Sequence, residues 1–403
     1  MITVALALVY SLGAQDWPQW RGPERSGIAA GFTAPGTWPK SLRKEWSAPI
    51  AGGYATPVTT QTAIYVFGRE SDQEVLQAVD RASGRMLWRK SYAAPFRKNQ
   101  YATEMGMGPH GTPLIAGGRI YTLGIMGVLS CHQTSNGELL WRKDFSKSID
   151  TANLFTGTAM SPLLDSGMLI VQVGDDRKGS LIAYDPATGA QKWIWENEGA
   201  SYTSPVIAEI DGVRQIITLA KTQAVGVSVR QGKLLWSVEF KDQWNENIVT
   251  PLVAGSRVIF SGVRKGTFAV ALKKSGDSWS AKTLWQNAEY TMYMSSPVLD
   301  GNHLYGMTNK RKGQVFCMDV ETGKVLWSTP GREGMNVSLV SAGPFLFTLN
   351  ETGDLKIARR NPSSFDIVAE YKVADNATWP QPVVLGRNLL IRDAASLTMY
   401  RLD

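Results

Sequence analysis

The stretch Asp319-Val-Glu-Thr-Gly-Lys-Val-Leu-Trp327 predicts a hairpin corner, in which one strand ends at Asp319 and the next runs out to Trp327. Asp and Thr side chains hydrogen-bond nearby backbone amides in turns, and Gly323 can take the positive φ that such a turn requires. Trp327 then presents a large flat surface to whatever packs beside the hairpin. This stretch decides the fold because the chain repeats it.

Copies of the corner recur along the chain, and a Thr-Pro or Ser-Pro pair opens each repeated unit. The corners are residues 80–88, 133–141 and 185–193, a shortened copy at 229–236 and a stretched copy at 273–285. The opening pairs are residues 56–57, 112–113, 161–162, 204–205, 250–251 and 296–297, with Gln381-Pro382 as a weaker copy. A period of about 40–50 residues, filled with short β-rich segments, predicts a β-propeller rather than a helical array.

Counting the units predicts an all-β fold, an eight-bladed β-propeller of four-stranded antiparallel blades. The eighth unit begins at Pro382 and stops near Leu402, before any outer strand. The missing strand is expected at the other end of the chain, where Leu42 to Trp46 has the form of a corner strand. An N-terminal strand in the last blade closes the ring and removes an exposed sheet edge.

The composition fits one large domain with an export signal. Residues 15–403 form the predicted single propeller, and most of the 14 Trp are explained by blade corners. Residues 1–14 hold a short apolar run that ends in small residues, which predicts a signal peptide and a periplasmic or secreted protein. The alternative is a buried N-terminal strand. The apolar run is too short to span a bilayer, so no transmembrane segment is expected.

Cysteines and charged loops narrow the possible chemistry. Cys131 and Cys317 occupy equivalent positions in units that face each other across the ring, so we expect two buried, unpaired thiols.

The net charge of the protein is +7. Loops between second and third strands are expected to place basic residues on one face, which favours an anionic ligand or surface, or else a solvated loop set. These residues are Arg177, Lys178, Arg264, Lys265, Lys310, Arg311 and Lys312. No nucleic-acid partner is expected, because no aromatic-basic binding module is present.

The corner pattern, together with Asp16-Trp-Pro-Gln-Trp-Arg-Gly-Pro23, resembles the PQQ-like repeat (pyrroloquinoline quinone) of secreted bacterial propellers. This quinoprotein-type family is related in fold to the outer-membrane-protein assembly propeller. The resemblance implies the eight-bladed fold over residues 16–403. Dehydrogenases of the family hold PQQ between a Trp and a disulfide of adjacent cysteines, and they hold Ca²⁺ through Glu, Asn and Asp. This chain has no adjacent cysteines, so no cofactor is expected, and PQQ with calcium is kept as the alternative.

Propeller geometry predicts where a ligand would bind. The residue three positions before the second member of each opening pair should enter the central funnel, where Ser338-Leu339 is the opening pair of the seventh unit. These residues are Tyr54, His110, Ala159, Tyr202, Ile248, Met294, Asn336 and Trp379. Neighbours on the same loops are Glu104, Asn247, Tyr293 and Arg332. Such a ring of aromatic and polar groups is typical of a small-molecule pocket, although it can equally plug the funnel. His110 is its only histidine, with a general-base role weighed against a structural one.

These patterns favour a monomeric, non-catalytic binding or scaffold propeller of the bacterial cell envelope. Its loop face would contact an envelope protein or an anionic small ligand. The alternative is a PQQ-dependent oxidoreductase acting on alcohols or sugars. No catalytic residue and no metal site are assigned.

Overall fold

The computed structural model describes residues 16–102, 106–150, 154–241, 244 and 246–403. The predicted signal peptide, residues 1–14, and Glu104 lie outside the described residues. The described part forms eight β-sheets and one short 3-10 turn at Lys310–Lys312. Within these ranges, no helix is long and apolar enough to cross a membrane.

Two N-terminal strands precede the first four blades, and each of these blades contains four strands. The N-terminal strands are β1 (Ile28–Ala29) and β2 (Arg43–Pro49). The four blades are β3 (Val58–Thr59), β4 (Ala63–Glu70), β5 (Gln73–Asp80), β6 (Met86–Ala93); β7 (Leu114–Ala116), β8 (Arg119–Leu123), β9 (Val128–Gln133), β10 (Leu139–Asp144); β11 (Leu163–Asp165), β12 (Met168–Gly174), β13 (Gly179–Tyr184), β14 (Gln191–Asn197); and β15 (Val206–Ile210), β16 (Val213–Leu219), β17 (Gln223–Ser228), β18 (Leu234–Glu239).

The remaining four blades follow the same order from inner to outer strand. They are β19 (Leu252–Ala254), β20 (Arg257–Gly262), β21 (Gly266–Ser275), β22 (Ser278–Asn287); β23 (Val298–Asp300), β24 (His303–Thr308), β25 (Gln314–Asp319), β26 (Val325–Ser328); β27 (Val337–Ala342), β28 (Phe345–Asn350), β29 (Asp354–Arg359), β30 (Asp366–Lys372); and β31 (Val383–Leu385), β32 (Asn388–Arg392), β33 (Ser396–Arg401).

The N-terminal strand β2 closes the ring as predicted. It pairs antiparallel with β33 as the outer strand of the eighth blade, with Arg43 opposite Arg401 and Pro49 opposite Ser396. The eight-bladed, antiparallel architecture is therefore confirmed. One addition was not predicted: β1 pairs in parallel with β27, which gives the seventh blade a fifth strand.

The corner tryptophans link each blade to the next. The indole N–H of six of them donates to a backbone carbonyl in the following hairpin, at 2.9 to 3.1 Å. These six are Trp46, Trp88, Trp141, Trp193, Trp285 and Trp327. In the seventh blade the Tyr371 hydroxyl donates to the Pro39 carbonyl at 2.8 Å. The repeated aromatic residue therefore joins neighbouring blades at their outer edges.

The corner glycine faces the tryptophan of the preceding blade. Gly137 has φ +71°, and a Cβ built there would lie 2.5 Å from the Trp88 ring. Glycine is required both for the left-handed backbone conformation and for the close approach of the indole.

Trp236, in the shortened corner, departs from this pattern. Its side chain is only 5% exposed, and its indole N–H donates to Gln215 Oε1 of its own blade at 2.6 Å. The next hairpin is the stretched copy, in which β21 and β22 run for 10 residues each. A Cβ built at Gly276 in that turn meets nothing within 4 Å, so no tryptophan covers this corner.

The Thr-Pro and Ser-Pro pairs link the blades near the axis. The backbone N–H of Thr56 donates to Thr112 Oγ1 at 3.1 Å, that of Thr112 to Ser161 Oγ at 3.0 Å, and that of Ser161 to Ser204 Oγ at 2.9 Å. The backbone N–H of Gln381 donates to Thr56 Oγ1 at 3.4 Å, and this hydrogen bond extends the series across the point where the ring closes. A hydroxyl at this position therefore connects one inner strand to the next.

Residues 16–29, named the plug from here on, lie at the propeller axis. The Trp17 N–H donates to Thr59 Oγ1, and the Pro18 carbonyl accepts from the Ile115 N–H. The Trp20 indole donates to Thr250 Oγ1 at 3.0 Å. The Gly27 carbonyl accepts from the Ser341 N–H at 2.8 Å. Because these partners belong to several different blades, the plug fills the space that the inner strands enclose.

Two buried arginines anchor the plug. Arg25 donates to the carbonyl oxygens of Ser161, Pro162 and Pro205 at 2.9 to 3.1 Å. Arg21 donates to the Pro297 carbonyl and to that of Ser26. Their exposures are 0% and 5% for Arg21 and Arg25, and burial lowers the pKa of both guanidinium groups to about 9. Both therefore remain charged at neutral pH and bind backbone carbonyls of four blade-opening residues.

We expect Gly137→Ala to destabilise the protein more than Gly167→Ala. Both glycines have nearly the same positive φ, +71° and +72°, but a Cβ at Gly167 meets nothing within 4 Å. The difference reports the contacts with the Trp88 ring and the Lys90 stem, and it should be about 1–3 kcal/mol in the free energy of unfolding. Urea denaturation of the two variants measures it. Equal losses would show that the indole does not constrain the corner.

Candidate functional site

A cavity of about 150 Å³ lies at the mouth of the central funnel and is named the cup. Its wall contains all eight residues of the ring that the sequence predicts, one from each blade junction. They are Tyr54, His110, Ala159, Tyr202, Ile248, Met294, Asn336 and Trp379. The regular spacing of these residues before the opening positions is what brings them together.

The plug forms the floor of the cup through Trp20, which also lines the cavity. The segment Asp16–Pro23 was recognised in the sequence only as a family marker, and its place in the site was missed. One signal was available: Trp17 and Trp20 lie outside every repeat, so no blade corner accounts for them. The funnel is therefore closed below the cup.

Aromatic rings form one wall of the cup. Tyr54 stacks on His110, with ring centroids 5.3 Å apart and an interplanar angle of 13°. Trp379 meets Tyr54 edge-on at 5.5 Å. Burial raises the pKa of the Tyr54 hydroxyl, and a hydrogen bond with the Gly106 backbone partly opposes this. Three rings held against each other make a rigid surface.

Two polar atoms in the lining have no hydrogen-bond partner among the described residues. They are His110 Nε2 and Gln381 Oε1. Gln381 is 4% exposed, and its amide N–H donates to the Leu339 carbonyl at 3.2 Å. Burial lowers the pKa of His110 to about 4, so the ring is neutral at physiological pH. None of the described residues that line the cup is Asp, Glu, Lys or Arg.

Three other predicted residues lie outside the cup. Asn247 is fully buried, and its amide donates to the carbonyls of Ala220 and Lys221 at 2.8 and 2.9 Å. It therefore holds two loops together, a use that sequence position alone did not distinguish from ligand binding. Tyr293 and Arg332 lie beside the cup, in the surrounding grooves.

Two grooves adjoin the cup. The aromatic groove, about 750 Å³, is lined by Tyr101, Phe155, Tyr202, Trp244, Tyr293, Lys221 and Arg264 among others. The methionine groove, about 790 Å³, is lined by Met294, Met335, Trp379, Lys312 and Arg332 among others. Tyr202 belongs to the cup and the aromatic groove, while Met294 and Trp379 belong to the cup and the methionine groove. The three cavities thus form one continuous loop face.

The predicted basic residues border this face but do not form a uniform patch. Arg264 lies over the Trp244 ring at 5.5 Å in the aromatic groove, with Lys265 next to it in the chain. Lys310, Arg311 and Lys312 form the exposed 3-10 turn, and Lys312 lines the methionine groove.

Acidic residues share the face with these cations. Arg177 pairs with Asp150 at 3.6 Å, and the Asp175 carboxylate accepts from the backbone N–H groups of Arg177 and Lys178. Asp176 and Glu246 line the aromatic groove, and Glu351 lines the methionine groove. The face is therefore mixed in charge.

The residues of the described part do not fit the PQQ and Ca²⁺ arrangement that the resemblance implies. Cys131 and Cys317 are buried, unpaired thiols in the second and sixth blades, so they cannot form a disulfide of adjacent cysteines. Burial raises the pKa of Cys131 to about 11 and that of Cys317 to about 12. Among the described residues, no group of three or more His, Cys, Asp or Glu side chains is placed to hold a metal ion.

The blade repeats, the ring closure and the axial funnel define an eight-bladed propeller of the PQQ-like repeat class. A family model described as outer membrane protein assembly factor BamB matches residues 71–329. The chain belongs to this family.

Similar proteins cover nearly the whole chain at low identity. The outer membrane protein assembly factor BamB of Shewanella oneidensis is 22% identical over 366 residues, which are 86% of this chain and 85% of that protein. The crystal structure of BamB from Moraxella catarrhalis aligns with a TM-score of 0.63 and 12% identity, over 89% of this chain and 97% of that chain.

A quinohemoprotein alcohol dehydrogenase from Comamonas testosteroni aligns with a TM-score of 0.71 and 13% identity, over 96% of this chain and 80% of that one. At such identities the two structural likenesses show the fold alone.

We expect His110 to make stability depend on pH. Because burial lowers the pKa of His110 from 6.5 to about 4, the unfolded chain binds a proton here at pH values where the folded protein does not. This stabilisation is complete above about pH 6.5 and is lost as the pH falls toward 4. Between these values the melting temperature of the unmodified protein should fall more steeply than that of His110→Phe. Equal changes of melting temperature with pH in the two proteins would contradict the assignment of this pH dependence to His110.

Proposed function

We propose that this protein is a non-catalytic binding propeller of the bacterial cell envelope, periplasmic or secreted, which contacts a protein partner through its loop face. Family membership supports the proposal, since the relative in Shewanella oneidensis is named an outer membrane protein assembly factor. By analogy, the partner is a protein engaged in outer-membrane protein assembly. The propeller itself acts as a monomer.

The observation that carries this proposal is the distribution of exposed hydrophobic side chains. Tyr101, Met335 and Trp244 are the most exposed large hydrophobic residues in the described part of the chain, at 77%, 59% and 57%. All three line the two grooves of the loop face. Exposed apolar groups gathered in one concave region mark an interaction site, whereas singly scattered ones do not.

The remaining exposed hydrophobic residues show the contrast. Leu139 and Leu140, for example, lie on the outer strand of the second blade and Leu326 lies on that of the sixth, at 38% to 45% exposure. Such a scattered distribution is normal for a soluble surface. The grooves instead combine aromatic rings, methionine and arginine, the residue types that are enriched at the centres of protein interfaces.

The charges of the grooves indicate what kind of segment would bind. Lys221 and Arg264 line the aromatic groove, and Lys312 and Arg332 line the methionine groove. Asp176 and Glu246 line the aromatic groove as well, and Glu351 lines the methionine groove. A partner segment with aromatic or aliphatic side chains and flanking charges of both signs therefore fits these surfaces. Such complementary charges raise the association rate and fix the orientation of the partner.

The chemistry of the cup supports a role in binding without catalysis. His110 is neutral, and no carboxylate, thiol or amine joins it among the described residues that line the cup. General acid–base catalysis needs a group of suitable pKa placed against the reacting atoms, usually oriented by a partner. Serine hydroxyls line the cup, but none of its described lining residues is an Asp or Glu that could orient His110 as a base for them.

The proposal predicts that a photo-crosslinking residue at Trp244 or Met335, in living cells, gives the same discrete adduct with an envelope protein. The same residue at Leu139, which is 45% exposed on an outer strand, should give none. Arg264→Glu should reduce the adduct about tenfold or more without changing the melting temperature, because it reverses a groove charge.

The cellular readout is the outer-membrane protein content of a strain that lacks the gene. The unmodified chain and Leu139→Ala should restore it, and Trp244→Ala should not. Equal crosslinking from Leu139 and from the grooves, or full restoration by Trp244→Ala, would refute the loop face as the contact surface.

A further inference from the structure

The cup has a chemistry that the proposed partner contact does not use. Its described lining carries no charged side chain, yet charged residues occupy both adjoining grooves. The cup is also smaller than the grooves, at about 150 Å³ against about 750 and 790 Å³. An uncharged cavity set inside a charged face selects for an uncharged occupant, because a buried ion without a partner is strongly destabilised.

The hydrogen-bonding groups of the cup form two complementary sets. Ser161, Ser204 and Ser296 line it, and each hydroxyl accepts a backbone N–H. A hydroxyl that accepts one hydrogen bond still has its own proton to donate. Among the described residues that line the cup, Gln381 Oε1 and the neutral ring nitrogen His110 Nε2 are buried atoms without a hydrogen-bond partner. The lining thus offers several hydroxyl donors and two atoms without a hydrogen-bond partner. One of these two, Gln381 Oε1, can only accept a hydrogen bond.

Gln381 is the residue at which the repeat departs from its own pattern. Six other units place Ser or Thr before the opening proline, and this unit places a longer amide there. The backbone N–H of Gln381 still donates to Thr56 Oγ1, so the blade link is kept. The residue is 4% exposed and its Oε1 has no hydrogen-bond partner among the described residues, which is unfavourable for a buried acceptor.

The aromatic residues of the cup suit the apolar face of a ring-shaped ligand. The stacked pair of Tyr54 and His110, the Trp379 edge and the Trp20 floor are flat or edge-on apolar surfaces. A ring of C–H groups packs well against such surfaces, while hydroxyl groups around that ring reach the donors and acceptors. A water molecule needs about 10–15 Å³ of comparable space, so the cup admits about a dozen non-hydrogen atoms, the size of a hexose.

We propose that the cup binds a neutral, polyhydroxylated ring molecule of monosaccharide size. The ligand's C–H face lies on the aromatic wall and the Trp20 floor. Its hydroxyls donate to Gln381 Oε1 and bond His110 Nε2, and they accept from the serine hydroxyls near the base. This site is separate in chemistry from the charged grooves, and it does not rest on the protein contact proposed above.

The test uses the purified full chain without any partner. Binding of D-glucose, D-galactose and myo-inositol is measured by isothermal calorimetry and by tryptophan fluorescence, since Trp20 and Trp379 line the cup. D-glucuronate and D-glucosamine are the charged comparators, since both keep a sugar ring of similar size. We expect saturable binding of at least one neutral compound, and binding at least about tenfold weaker for the charged compounds.

Two variants locate the binding. His110→Phe keeps an aromatic ring for stacking on Tyr54 but removes Nε2, and Ala159→Phe fills the cavity. Each should weaken binding about tenfold or more, which corresponds to about 1.4 kcal/mol. Leu139→Ala, on an outer strand, is the matched control and should bind as the unmodified chain does. Melting curves verify that all three variants fold.

The proposal is overturned if no neutral compound binds saturably at millimolar concentration. It is also overturned if D-glucuronate or D-glucosamine binds as tightly as the neutral compounds, or if Ala159→Phe binds as well as the unmodified chain. None of these outcomes depends on the partner contact, so failure of one proposal is distinguishable from failure of the other.

Discussion

The buried guanidinium groups of Arg21 and Arg25 satisfy backbone carbonyls at the propeller axis, and the centre of the structure depends on this interaction. Inner strands of a propeller converge there, and their exposed carbonyl oxygens need donors that no neighbouring strand supplies. Arg25 bonds carbonyls of Ser161, Pro162 and Pro205, and Arg21 bonds that of Pro297. A charged donor with several N–H groups suits this task, because hydrogen bonds to ionised groups are stronger than neutral ones.

Filling the axis in this way makes the two ends of the funnel unequal. With the plug in place, Trp20 forms the floor of the cup beneath the loop face. The cup and both grooves lie on this one face and share wall residues. The same N-terminal segment that stabilises the ring therefore also gives the binding face its floor.

Much of this architecture follows from the repeat. A tryptophan at a fixed distance from a turn glycine predicts blade contacts, and residues at equal spacing before the opening positions predict the cup wall. The departures arise where a long-range contact overrides the local pattern. Trp236 donates to Gln215 of its own blade because the next hairpin is longer. The Asn247 amide donates to loop carbonyls and does not face the cup. The plug, which ends with β1, lies outside the repeat, so periodicity carries no information about its partners.

The most direct test of this account is the free energy of unfolding of Arg25→Met, measured by urea denaturation beside Arg43→Met. Methionine keeps the unbranched stem of the side chain but lacks the guanidinium group and donates no hydrogen bond, which leaves buried carbonyls at the axis without donors. The account predicts a loss of about 3 kcal/mol or more for Arg25→Met. Arg43, whose side chain is 68% exposed, should change stability by less than about 0.5 kcal/mol. Equal stability of the two variants would contradict the claim that buried arginines hold the propeller axis.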